Sequence, residues 1–274
     1  MLKTRLQNFF RPTFGKIALA TLLVGLVLGG GFAYGLYRLA EREFPDVAVL
    51  NLKYPQVIYQ GPKVPVKIRL VNSPPSGWTK ISDIAKPAMG AVVVSEDSAF
   101  FTHDGFDANQ LKEAIKEDLA DRRFSRGAST ITMQVVKNVF LSQEKTLYRK
   151  AKEFVLAIRL DGHVSKRRVL EVYFNIAEWG EGIFGIGSAA RKYFGKSPAE
   201  LAPKEGAFLA MLLPSPKRYS QSFRDGRLTP YASKTVRSIL EKMAQAQYIT
   251  PEERDLELQT RLSFETKVEP PTTD

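Results

Sequence analysis

The most constraining feature of this chain is a stretch without a single charge, Ile17 to Tyr37. At about 1.5 Å of rise per residue, a helix of that length spans a hydrocarbon core of roughly 30 Å. A cleaved secretory leader is the rival reading. The stretch is longer than the usual leader apolar region of about 7–15 residues, and no convincing small-x-small cleavage site follows it. The sequence therefore predicts a retained transmembrane helix over 17–37. Lys3, Arg5, Arg11 and Lys16 precede it with no acid, whereas Arg38 and Arg42 behind it are balanced by Glu41, Glu43 and Asp46. The positive-inside rule then leaves a basic tail, 1–16, in the cytoplasm and everything after the helix outside. Gly25 and Gly29, and Gly31 and Gly35, have the small-xxx-small spacing of pairing helices. Glycine is common in membrane helices, so this carries no weight.

The remaining length suffices for one large domain or two small ones. The formal charge is +11 and the pI about 9.7, which favours a polyanionic partner: nucleic acid, anionic lipid or a phosphorylated substrate. An outward-facing domain argues against nucleic acid. There is no cysteine, which fits an oxidising compartment only weakly. The two histidines, His103 and His163, lie far apart, so no zinc site is expected.

Residues 38–77 read as a proline-punctuated linker with one or two short strands. Val64, Val66, Ile68 and Leu70 alternate with Lys63, Pro65, Lys67 and Arg69, a period-2 pattern with a basic outer face. A helical domain follows over 78–250, then a short helix and a disordered tail within 251–274. Within the domain, AVVVSEDSAFFTHDGFD (Ala91 to Asp107) brings an apolar run up to two adjacent acids, Glu96 and Asp97. A carboxyl among apolar and aromatic residues is where desolvation raises a pKa, as a general acid or base near neutral pH requires. The bland alternative is a helix end with its acids in water. A helix is expected over Asp107 to Ala120, and then a basic loop, DRRFSRG.

Ser129 or Thr130 can cap the next helix, with Ile131, Val135 and Val139 as its apolar line and Thr130, Gln134, Lys137 and Asn138 opposite. Another runs from about Glu144 to Leu160, with Leu147, Ala151, Phe154, Val155 and Ile158 as the expected buried stripe. Lys145, Arg149 and Glu153 fall on its other face. A surface ion-pair ladder would account for Arg149 and Glu153 alone. But Lys137, Lys145, Arg149, Lys150 and Lys152 are five cations against Glu144 and Glu153. Such a cluster repels itself unless an anion, most simply phosphate, neutralises it. Further on, Ser165 caps a helix with Val169, Leu170, Tyr173 and Phe174 on its core face. GEGIFGIG (Gly180 to Gly187) is not preceded by a strand or followed by GK[ST], so it reads as a tight turn into a helix rather than a nucleotide loop. A buried helix in 198–213, an amphipathic helix over 230–247 and a capping box at Thr250 and Glu253 complete the chain.

Five of these stretches, in order, resemble the motifs of the family 51 peptidoglycan glycosyltransferases. They are EDSAFFTHDGFD (Glu96 to Asp107), GASTITMQVVKN (Gly127 to Asn138), RKAKE (Arg149 to Glu153), VLEVYFNIAEWGEGIFGIGSAARKYFGK (Val169 to Lys196) and LAPKEGAFLAMLLPSPKRY (Leu201 to Tyr219). AEWG-x-GIFG is similar to the monofunctional, membrane-anchored subgroup, and the chain ends without room for a transpeptidase domain. Met133, Ala128, Lys145 and Phe174 depart mildly from the usual residues. Lys145 keeps a charge but lacks the bidentate fork of arginine.

The resemblance implies a mainly α, lysozyme-like glycosyltransferase domain with a short N-terminal β element and one N-terminal transmembrane helix. It implies a periplasmic or extracytoplasmic polymerase. Lipid II would attack, through a 4-hydroxyl, a growing glycan on undecaprenyl pyrophosphate, inverting the anomeric carbon to give a β-1,4 linkage. On this reading Glu96 is the general base. Lys137, Lys145, Arg149 and Lys150 neutralise the leaving pyrophosphate, and Ser129, Thr130, Gln134 and Asn138 bind donor sugar or phosphate. Glu153 is either an orienter of the cations or a ligand for a divalent cation, Mg2+ or Mn2+. Asp97 is expected to shape the site rather than carry the proton, and His103 to be a hydrogen-bonded packing residue. The implied partners are lipid II, the lipid-linked strand, membrane lipids and cell-division or cell-wall synthesis proteins. A lytic, glycan-cleaving enzyme and a catalytically silent cell-wall scaffold are the rival readings; the first needs no pyrophosphate clamp.

Overall fold

The computed structural model describes residues 12–113, 129–142, 144 and 146–266. The basic tail before residue 12, the second half of the helix expected at 107–120, the DRRFSRG loop, Lys145 and the last residues from 267 lie outside them. The chain divides into two units, Met1–Asp46 and Val47–Asp274.

The first unit contains helix α1, Pro12–Glu43. Its described apolar side chains are exposed, Val27 and Phe32 at 73 % and 70 %. Among the described residues no helix is long and apolar enough to cross a membrane.

The second unit is mainly helical, with two small hairpins. β1 (Tyr54–Ile58) and β2 (Lys67–Val71) pair antiparallel, Val57 opposite Ile68. The basic side chains of the alternating stretch, Lys67 and Arg69, face solvent. Arg168 fastens this end of the unit. Its guanidinium lies 4.4 Å from the Tyr54 ring centroid, and it donates to the carbonyls of Leu50 and Lys53.

The centre of the fold is α2, Lys86–Glu96. Its Val92, Val93 and Val94 are β-branched and favour strands in isolation. Burial on every side overrides that preference, as Ala88, Gly90 and Ala91 to Val94 all leave solvent. Each buried valine contributes on the order of 1.5–3 kcal/mol. α2 packs against two later helices, α7 (Pro203–Leu212) and α10 (Pro230–Gln245). The approach is close enough that a Cβ on Gly206 would stand 2.6 Å from the Ala88 Cα. α2 is thus a fixed post, and its last residue is Glu96.

A second group of helices meets that end. α3 (Ile131–Phe140) packs on α4 (Leu147–His163) and on α5 (Lys166–Ile176). Thr130, Thr146 and Ser165 cap them, each accepting from the backbone N–H three residues on. On α4 the buried side is not the expected stripe. Leu147 is 91 % exposed and Val155 and Ile158 about two-fifths exposed, while Glu153, Leu156, Ala157 and Leu160 are buried. The packing partners of α4 lie on the face that carries Glu153, and a carboxylate with two charged partners tolerates that face.

GEGIFGIG folds as hairpin β3 (Glu178–Gly180) and β4 (Ile183–Phe184), followed by α6 (Ile186–Phe194), which Gly195 closes in a left-handed conformation. Two one-turn helices, α8 (Pro216–Tyr219) and α9 (Gln221–Arg224), separate α7 from α10. α11 (Pro251–Gln259) starts at the expected capping box of Thr250 and Glu253.

Gly105 locks the loop after α2 to α4. Its φ is +88°, and a Cβ there would lie 2.5 Å from the Ala157 carbonyl oxygen. Thr130 donates to the Gly105 carbonyl at 2.7 Å, so the same residue anchors the start of α3. Gly105→Ala is expected to destabilise the fold by about 2 kcal/mol or more, since it adds backbone strain to a clash. Urea unfolding of the two proteins side by side measures this, and an unchanged midpoint would refute the packing described.

Candidate active site

Glu96 sits at the C-terminal end of α2, half-buried. Its Oε2 accepts from the Gln134 side-chain amide at 2.8 Å. Desolvation pushes its carboxyl above the usual carboxylate value, and Asp97 next door adds to the rise. The Gln134 amide, the Lys137 charge and the Tyr173 hydroxyl pull it partly back. The carbonyl end of the helix dipole is also unfavourable to a negative charge there. A carboxylate held this way accepts a proton more readily than an exposed one.

Asp97, one residue on, is built differently. It is buried, and its Oδ1 lies 2.9 Å from His103 Nε2. Its Oδ2 accepts from the Ile131 backbone N–H at 3.0 Å, at the positive start of α3. Lys166 donates to the His103 carbonyl at 2.6 Å. Asp97 and His103 therefore hold the loop and two helices together, and neither presents a free polar atom to a substrate.

Glu153 is the second centre. It is 1 % exposed, with Arg149 Nη1 at 2.6 Å from Oε2 and Lys150 Nζ at 2.6 Å from Oε1. Lys150 also donates to the Ser129 hydroxyl at 3.0 Å. Arg149 and Lys150 lie on the first turns of α4, and their common carboxylate holds two cations side by side that would otherwise repel. Among the described residues no group of three metal-ligating side chains is present. Both oxygens of Glu153 already accept from cations, which suits an orienter of the cation pair better than a ligand for a divalent ion.

Lys137 connects the two centres. It lies one turn beyond Gln134 on α3 and is exposed. Although the side chain reaches solvent, the atoms crowded around its ammonium displace part of its hydration and lower its pKa; the charges of Lys150 and Arg149 lower it further, and Glu153 and Glu96 both pull it back up. It is therefore within electrostatic reach of both the Glu96 carboxyl and the Arg149–Lys150 pair. Asn138 follows it on α3, half-buried. Lys145 lies outside the described residues. Thr130 is buried and spends its hydroxyl on the α3 cap and the Gly105 carbonyl, so it supports the site from behind. Met133 is buried and, with Phe106, Leu111 and Phe154, walls an apolar cavity of about 200 Å³ beside Ser129 and Lys150.

The comparison with known proteins decides the family. The family model described as Transglycosylase matches residues 67–244. This chain belongs to the transglycosylase family. A biosynthetic peptidoglycan transglycosylase of Nitrosomonas eutropha is 41 % identical over 169 residues, 62 % of this chain and 68 % of that protein. One of Nitrosospira multiformis is 39 % identical over 169 residues, covering 62 % and 72 %, and one of Brucella suis is 48 % identical over 139 residues, covering 51 % and 62 %. Penicillin-binding protein 1A of Haemophilus influenzae aligns over 77 % of this chain and 21 % of its own, with a TM-score of 0.38 and 20 % identity. That superposition is too distant to place a residue. As a member of this family the chain is a glycosyltransferase enzyme.

One residue at this candidate site is not disclosed by the sequence. Tyr173 on α5 was expected only as a core residue. It is 1 % exposed, and its hydroxyl donates to the Gln134 Oε1 at 3.4 Å. Burial, then the negative Glu96 and Asp97, push that hydroxyl well above the usual tyrosine value, so it stays protonated. The chain Tyr173–Gln134–Glu96 fixes which end of the Gln134 amide points at Glu96: the NH2, which favours the ionised carboxylate. Tyr173→Phe is expected to slow turnover about fivefold to tenfold, the worth of one such hydrogen bond. It should also move the acid limb of the rate profile to higher pH, because the hydroxyl lowers the Glu96 pKa in the native protein. A slower enzyme with an unmoved limb would make Tyr173 a packing residue only.

Proposed function

We propose that this chain polymerises the glycan strands of peptidoglycan, joining lipid II to a growing strand carried on undecaprenyl pyrophosphate. The observation that carries the reading is the pair of centres, Glu96 hydrogen-bonded to Gln134 and the Arg149–Lys150–Glu153 cluster, with the Lys137 charge felt by both. A proton acceptor and an anion clamp, joined by one cation, suit a displacement whose nucleophile is a hydroxyl and whose leaving group is a pyrophosphate.

In this reaction Glu96 takes the proton from the acceptor 4-hydroxyl as that oxygen attacks the anomeric carbon. The bond to pyrophosphate breaks on the opposite face, the carbon inverts, and a β-1,4 linkage results. Lys137, Arg149 and Lys150 neutralise the charge that grows on the departing phosphate. The leaving group is already a stable anion, so no general acid is needed. Ser129, which accepts from Lys150, and Asn138, next to Lys137 on α3, contact the donor, and Gln134 orients the base.

The proposal includes a location. Residues 17–37 anchor the chain in the inner membrane with the N-terminus in the cytoplasm and the catalytic unit outside. Its support is the charge-free stretch, preceded by basic residues with no acid and followed by arginines that acids balance, within the 32-residue helix α1. The exposed apolar side chains at the start of α4, Leu147 and Tyr148, beside Lys152, suit a site that works at a lipid surface.

The test is incubation of the detergent-solubilised chain with lipid II. Polymer that lysozyme digests is the expected product. Cleavage of preformed glycan without polymer would favour a lytic enzyme, and binding without turnover a scaffold.

A further inference from the structure

A second cavity, of about 380 Å³, lies where α8, α9 and the start of α10 meet the end of α7, and no residue of the Glu96 or Glu153 clusters lines it. We propose that it binds an organic carboxylate with a small apolar body, such as the C-terminal end of a short peptide. The proposal does not depend on the polymerase reading.

Its walls divide by chemistry. Met211 and Ala232 are buried apolar floor residues. The Tyr219 and Tyr231 rings stack with centroids 4.8 Å apart at 22°, and Tyr231 is half exposed, so one aromatic face remains open. Two arginines complete the rim. Arg218 lies 5.8 Å from the Tyr219 ring centroid, on an aromatic support. Arg224 is held in place by its neighbours in the chain: it donates to the Ser220 hydroxyl at 2.7 Å, to the Lys217 carbonyl at 3.2 Å and, through Nη2 and Nε, to the Gln221 side-chain oxygen at 2.7 Å and 3.2 Å.

What matters is the acceptors these arginines lack. Among the described residues neither has a carboxylate partner. The nearby cation Lys217 is different, being paired with Glu181 at 3.2 Å. The nearby acid Asp225 is engaged by the Gln221 amide. Two guanidinium groups line one cavity: Arg218 offers the planar fork that matches a carboxylate, and the pre-oriented Arg224, with four of its five N–H groups engaged in the fold, adds its charge and the one N–H left on Nη1. The apolar floor and open aromatic face give a bare inorganic anion nothing to bury, whereas they match a methyl-bearing organic acid. The volume admits a dipeptide-sized group, so the ligand is small or is the tip of something larger.

The test uses the full chain in detergent and three probes: acetyl-alanyl-alanine with a free carboxylate, its C-terminal amide, and inorganic phosphate. Calorimetry or tyrosine fluorescence should show saturable binding of the free acid. The amide and phosphate should bind at least about tenfold more weakly, the worth of one charged hydrogen-bonded pair. Arg218→Gln, which removes no hydrogen bond within the fold, should weaken the acid by a similar factor. Arg224→Gln should do the same, and Tyr231→Ala should weaken acid and amide alike. Lipid II turnover should stay within about twofold of wild type in all three, since these residues lie outside the Glu96 and Glu153 clusters. Equal binding of acid and amide, equal binding of phosphate, no binding by the wild type, or unchanged affinity in Arg218→Gln would each overturn the proposal. A failure here with intact polymerisation leaves the glycosyl-transfer reading standing.

Discussion

Glu96→Gln is expected to lower the polymerisation rate by about 10²–10⁴-fold, the range a positioned general base supplies. The glutamine keeps the shape of the side chain and can still meet the Gln134 amide, but it cannot take a proton. Its effect on stability should have the opposite sign. Burial raises the Glu96 pKa in the folded protein, so folding favours the protonated form. The site costs nothing below the unfolded pKa and becomes unfavourable as pH rises through the higher folded value. The variant should therefore melt at a higher temperature than wild type at neutral pH, with the gain vanishing in acid. The wild-type rate should fall as pH drops through that same raised pKa. Thermal melts across pH 4 to 8, beside rates, check both halves. A variant that loses activity and stability together at neutral pH would mean that Glu96 holds the fold rather than the proton.

Lys137→Met should be the next most damaging change, with a loss of about 10²–10³-fold, as for removal of one preorganised charge-stabilising donor. The side chain is exposed, so the fold should be nearly indifferent to it. Two separate signatures identify its role. The ammonium lowers the Glu96 pKa, so its removal moves the acid limb of the rate profile upward. It also shares the field of Arg149 and Lys150, so its removal weakens use of the pyrophosphate-linked donor and reduces the sensitivity of the reaction to salt. Equal loss of rate and melting temperature, with neither signature, would reduce Lys137 to a structural ion-pair member.

The residues of this site differ in how much the sequence could disclose. Glu96, Gln134, Lys137, Arg149 and Lys150 stand out in the sequence as candidates because an apolar run ending in acids and a surplus of cations are chemical anomalies, and the structure brings Glu96 to Gln134 and Arg149 and Lys150 to Glu153. The burial of Glu153 was not legible. Helical periodicity places it on the polar face of α4, and only the packing of α3 and the start of the unit against that face shows that it is interior. The same error put Leu147, Val155 and Ile158 inside, since periodicity finds an apolar face but does not say which face a neighbour covers. Tyr173 was correctly read as core, yet its hydroxyl partner sits on a helix nearly forty residues earlier, and no local spacing reveals such a contact. The β3–β4 hairpin was read as a turn because it has only two or three residues per strand, too few for a period to register. Helix ends were legible where a side chain caps them, at Thr130, Ser165 and Thr250.

The claim that one acid does the proton chemistry while a separate cluster holds the donor is tested most directly by separating binding from turnover. Wild type and Glu96→Gln should be compared for lipid II binding and for lysozyme-sensitive polymer in the same preparation. The account predicts equal binding by both and polymer from the wild type alone. Polymer formed by the Glu96→Gln protein at a rate near wild type would contradict it.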